Sequence, residues 1–121
     1  MDLEIHHEAE PELDTIHNGP EIRSLARAFA TIDKRRNDSF QSGVAGAPLT
    51  AVRPDGQTLT LKLHIVTEGR VTIVVVVDEK ANRGMLVAAG VRPMLSVSAE
   101  ARIVARGETR TLEWIKNHGR F

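Results

Sequence analysis

The side chains best suited to chemistry are five histidines, His6, His7, His17, His64 and His118. His6 and His7 are adjacent, and adjacent residues do not share a face of a regular helix or strand. No H-x-x-x-H or H-E-x-x-H spacing occurs, so a metal site would require the fold to gather distant ligands. The histidines therefore read as surface residues, with no metal ligand assigned. Cysteine is absent, which removes disulfides, thiolate metal sites and a cysteine nucleophile. The serines lie outside any G-x-S-x-G context, and neither a G-x-G-x-x-G stretch nor a P-loop is present. No catalytic residue is assigned, enzyme activity is left open, and any cofactor is unidentified.

Cations offer two weaker signals. Lys34, Arg35 and Arg36 end one candidate helix, while Arg102 and Arg106 alternate on a candidate strand. Together they form the set that would contact a phosphate backbone. Four aromatic residues, Phe29, Phe40, Trp114 and Phe121, are few for stacking on single-stranded bases. The second signal is Lys80 and Arg83, just beyond the candidate strand Val71–Val77. If a helix starts at Asp78, its N-terminus and these cations could hold a phosphate-bearing ligand.

Charge is balanced overall but not along the chain. Asp2, Glu4, Glu8, Glu10, Glu12 and Asp14 place six acids in the first 14 residues, without lysine or arginine. Residues 1–18 form an acidic N-terminal arm in this reading, and residues 19–121 a single α+β domain. The arm is either a solvated tail or a segment that lies on the protein's own basic surface and competes with an anionic ligand. The lack of cysteine and of a basic-then-apolar leader leads to the expectation of a soluble, cytoplasmic protein with no membrane partner.

The elements that must position these residues follow from periodicity. Asn18-Gly19-Pro20 predicts a helix start, and Ile22, Leu25, Ala26, Phe29 and Ile32 form an apolar stripe at helical spacing. Gln41–Ala47 reads as a small-residue loop. Arg53-Pro54-Asp55-Gly56 predicts a three-residue hairpin loop pairing Ala51 with Leu59 and Leu49 with Leu61. A second hairpin near Thr67–Arg70 is assigned a three-residue loop pairing Ile65 with Ile73. That register places Val74 and Val76 on the second face of the sheet, where something apolar must cover them. Asp78–Ala89 reads as a short helix, Met94–Arg106 as a long alternating strand, and Thr109–His118 as a closing helix with Leu112 and Ile115 inward. The order α-β-β-β-α-β(-β)-α specifies an α+β protein with an antiparallel sheet or a small, partly closed barrel.

The PDG hairpin, the third strand, a short basic helix and a long strand beginning near VRPMLSVSAEARIV together resemble the pyridoxamine-phosphate-oxidase-like flavin or deazaflavin split barrels. The resemblance spans about Pro48 to Gly107. It implies an oxidoreductase-like dimer with a cofactor at the subunit interface. The leading expectation is instead a non-catalytic interaction or ligand-binding domain working as a homodimer. Val74 and Val76 would form its interface, since uncovered apolar area usually marks one. Nucleic-acid binding is the third reading.

Overall fold

The computed structural model describes residues 2–37, 46–93 and 97–121. It is an α+β fold with the order β1 (Asp2–Ile5), α1 (Ala9–Asp14), α2 (Gly19–Asn37), β2 (Ala47–Val52), β3 (Thr58–Glu68), β4 (Val71–Asp78), β5 (Arg83–Val91) and α3 (Val97–His118). The strands form one open mixed sheet, β1-β5-β4-β3-β2. β1 is parallel to β5, and the other three pairings are antiparallel.

Both faces of the sheet are covered by the chain's own helices. On one face, Ile73, Val75, Val77 and Leu86 pack with Ala9, Ile16, Ala28 and Ile32 from the segment containing α1 and α2. On the other, Leu61, Leu63, Val74, Val76 and Val87 pack with Ile103 and Ile115 of α3. All eight residues of β4 are buried. A strand covered on two sides has no wet face to alternate towards, so it reads as one apolar run.

The first hairpin has the expected register, with Ala51 opposite Leu59 and Leu49 opposite Leu61. The second differs by one residue. Glu68 pairs with Val71 and Ile65 with Val74, leaving a two-residue Gly69-Arg70 loop. Gly69 has φ +56° while Arg70 stays out of the positive region, as a loop with glycine first requires. Because side chains alternate with period two, this slip exchanges the faces. Val74 and Val76 join the leucines beneath α3, and Ile73, Val75 and Val77 turn towards α2. The expected interface residues Val74 and Val76 are therefore fully buried within one chain, and they present no surface for a second subunit.

The elements after Asp78 also differ from expectation. Asp78 accepts the Ala81 N–H through its side chain at 3.2 Å, and Asn82 takes φ +53°. This local turn reverses the chain into β5 where a helix was expected. Met85–Ala89 is buried on both faces, so its continuous apolar run lacks a strand's alternation. The segment expected as a long strand, where described, is the first half of α3. Ile103, Gly107, Thr111 and Ile115 recur every four residues and are buried, which is a helical line. A Cβ at Gly107 would lie 3.0 Å from Val87 and 3.1 Å from Val74, so glycine sets how closely α3 approaches the sheet. Leu112, expected inward, lies to one side of this line and is exposed.

α2 begins as expected, with the Asn18 side chain accepting the Glu21 N–H at 3.0 Å, an N-cap bond. Its inward line is Ser24, Ala28 and Ile32, whereas Ile22 is exposed. The expected loop at residues 41–47 lies outside the described residues up to residue 45. Among the described residues, no helix is long and apolar enough to cross a membrane.

Candidate peptide-binding edge

A sheet that does not close into a barrel has two edges, and this chain treats them differently. At one edge the short β1 is outermost and pairs only with Arg83–Leu86 of β5. Beyond it, side chains take the place of a strand. The Glu12 carboxylate accepts the Ala89 N–H at 3.2 Å. Arg110 donates to the Val87 carbonyl at 2.9 Å, and Arg106 to the Ala89 carbonyl at 3.3 Å. These groups are joined to one another. Arg110 grips Glu12 at 2.6 and 3.1 Å, and Arg106 reaches Glu12 at 2.9 Å. Burial pushes the Glu12 carboxyl up, but the Arg110 and Ala89 hydrogen bonds and the charges of Arg106 and Arg110 hold it below its ordinary value. The Glu12 hydrogen bond raises Arg110 further, against the effect of burial. Glu8 and Glu12 thus place part of the acidic segment on basic residues of α3.

At the other edge, no strand pairs outside β2 among the described residues. The hydrogen-bond phase of β2 can be derived from its turn. Arg53 N–H donates to the Gln57 carbonyl at 2.8 Å, and Gly56 N–H to the Arg53 carbonyl at 3.0 Å. Antiparallel pairs alternate between bonded and non-bonded. Ala51 and Leu49 therefore bond to β3, and Thr50 and Val52 aim their N–H and C=O groups outward. Pro48 shares that outward phase, where its missing N–H costs no ladder bond.

Thr50 and Val52 line an open groove of about 870 Å³ with Arg53, Pro54, Leu112 and Lys116. Val52 is 52% exposed and Leu112 40%. Leu112 and Lys116 are one helical turn apart on α3 and face the same way. Arg53 is steadied by the Gly119 carbonyl at 3.2 Å. The groove thus offers outward backbone donors and acceptors, an apolar contact and two cations, with no carboxylate among its described lining residues. Such an edge can extend by a strand and select its side chains. Sequence reasoning missed these residues because it placed Leu112 inside. Pro48 in an otherwise regular strand was the available signal of an edge.

The residues expected to bind ligands are dispersed. Lys80 is exposed in the turn between β4 and β5. Arg83 opens β5 and donates to the Phe121 carbonyl at 2.9 Å. No helix starts at Asp78, so the helical phosphate site proposed for Lys80 and Arg83 lacks its framework. Lys34 and Arg35 lie on α2, and Arg102 and Arg106 on α3, across the sheet from them. They do not form one surface. The Arg36 side chain lies outside the described residues. The segment resembling a split barrel forms instead an open antiparallel meander followed by a helix.

The fold does gather three histidines. His6 and His7 stack at 4.3 Å, His6 meets Trp114 edge-on at 5.6 Å, and His118 stacks on Trp114 at 3.9 Å. His6 is buried, and its Nδ1 accepts the Glu8 N–H at 3.1 Å. Burial, His7 and Arg110 lower its pKa, against the carboxylates of Glu8 and Glu113. His64 lies apart in β3, buried, with its pKa lowered to about 4 by burial and then by Arg35 and Lys62, opposed by Glu79. Among the described residues, no group of three or more acidic or histidine side chains is placed to hold a metal ion. Comparison with protein-family models, curated proteins and solved structures gives no match for the chain.

Proposed function

We propose that the protein is a non-catalytic interaction domain that captures an extended segment of a partner protein along β2. One observation carries the reading: the outward-facing backbone of Thr50 and Val52 lines the same groove as the exposed Leu112 and the cations Arg53 and Lys116. The partner segment adds as a strand, places an aliphatic side chain against Leu112, and brings carboxylates to Arg53 and Lys116. Backbone pairing supplies affinity in this mode, and alternate side chains supply specificity. Closure of the upper half of β5 by Glu12, Arg106 and Arg110 supports the reading, because among the described strands it leaves unpaired sides only on the four-residue β1 and the six-residue β2, of which β2 is the longer.

The test is selection from a library of random peptides displayed on phage, followed by binding to two proline variants. Val52→Pro removes an outward N–H and should abolish peptide binding while the protein stays folded. Ala51→Pro removes an N–H bonded to β3 and should disrupt the hairpin itself. Selected peptides should be rich in acidic and aliphatic residues. Peptides that bind Val52→Pro as well as the parent would remove β2 from the site. A dimer that Val52→Pro converts to monomer would instead place a second copy of this chain on the edge.

A further inference from the structure

A second recognition surface lies on α3, around the corner from the β2 groove. Arg102, Arg106 and Arg110 follow one another at intervals of four residues, each step advancing about 6 Å along the helix. Together with Thr109, Glu8 and Glu113 they line an open cleft of about 580 Å³. Three arginines line it, and a guanidinium binds oxyanions through parallel N–H donors.

The cleft already holds an oxyanion. Arg110 Nε donates to a Glu8 carboxylate oxygen at 3.0 Å. The two carboxylates that reach Arg110 are held differently. Glu12 is 20% exposed and is fixed by Arg106, Arg110 and the Ala89 N–H. Glu8 is 55% exposed and reaches Arg110 through this one nitrogen. Exposed pairs of that kind contribute about 0–1 kcal/mol, so Glu8 can be displaced without opening the β5 edge. Arg102, exposed at the N-terminal end of the row, pairs with no carboxylate among the described residues and gives the cleft a second anchoring point.

We infer that this cleft binds a small phosphate-bearing anion, with Glu8 as the intramolecular group that occupies it in the ligand-free protein. Arg102 and Arg106 hold one end of the anion, Thr109 supplies a hydroxyl donor, and the Arg110 face released by Glu8 holds the other. This site is separate from the β2 groove, and neither reading depends on the other.

The probe is inorganic pyrophosphate, titrated calorimetrically into the full chain at fixed ionic strength. The parent should bind it. Glu8→Gln, which removes the competitor, should tighten binding about two- to fivefold, the equivalent of one exposed ion pair. Arg102→Ala should weaken it about tenfold or more, the scale of one charge-assisted hydrogen bond. Both substitutions are at exposed positions and should leave thermal melting unchanged, which separates loss of binding from loss of fold. The inference is overturned if neither the parent nor Glu8→Gln binds. It is equally overturned if Arg102→Ala binds as the parent does, or if sulfate at the same concentration displaces pyrophosphate completely.

Discussion

Arg110 grips Glu12 through both terminal nitrogens, at 2.6 and 3.1 Å, beside the half of β5 that β1 does not reach. The pair is an ion pair and also a substitute for a strand. It connects α3 to α1 and satisfies backbone groups that would otherwise offer a template for aggregation.

Breaking this pair should therefore have two effects. Arg110→Leu leaves Glu12 partly buried with one cation fewer, and should cost about 3 kcal/mol in urea unfolding. It should also increase association at high concentration, because the Val87 carbonyl loses its partner. Arg110→Lys keeps the charge but cannot form the two-nitrogen grip, so it should recover less than half of the lost stability. Full recovery by lysine would show that charge alone matters at this position.

Stability should fall on the acid side of neutrality. The folded pKa of His64 is about 4, below the ordinary 6.5, so between those values the unfolded chain binds more protons. The contribution is complete above pH 6.5 and is lost as pH falls towards 4, amounting to about 3 kcal/mol. His6 acts with the same sign. Glu12 adds a further loss below about pH 4.5, where its depressed carboxyl must be protonated. Urea midpoints measured from pH 7.5 to 4 should show this slope, and His64→Gln should flatten most of it. An unchanged slope in that variant would transfer the effect to His6.

Gly107 is a point of close approach between α3 and the sheet. Alanine there gains helix propensity of about 1 kcal/mol but brings a Cβ within 3.0 Å of Val87 and 3.1 Å of Val74. Valine adds two more methyl groups to the same contact and should destabilise the protein by about 3 kcal/mol. Thermal melting of the two variants should show a small change for Gly107→Ala and a large drop for Gly107→Val. A neutral Gly107→Val would mean that α3 can lift from the strands at little cost.

The parts of this fold that are legible in the sequence are those fixed by local chemistry. Pro54-Asp55-Gly56 sets its hairpin because proline presets one turn position and Gly56 takes φ +84°. Asn18 marks the start of α2 for an equally local reason. The second hairpin was misread because Gly69 fits several loops, and only packing on both faces selects among them. β5 and α3 exchanged types for a related reason. Met85–Ala89 is buried on two sides and has no alternation to read. The alternation before Arg106 rests largely on Ala99, Ala101 and Ala105, which suit a helix as well as a strand. The β2 groove pairs Thr50 and Val52 with Leu112 and Lys116, some sixty residues apart, and no local pattern encodes that meeting.

The placement of β1 has a consequence for how the chain matures. Its partners lie far along the chain: Asp2 pairs with Arg83, and Glu12 with Arg106 and Arg110. During synthesis the acidic segment emerges before these partners and cannot make these contacts until β5 and α3 have left the ribosome. Contacts of such long sequence separation form late. The acidic segment is thus made before β5 and α3 but seated only after them, and its docking marks the point at which both have been delivered.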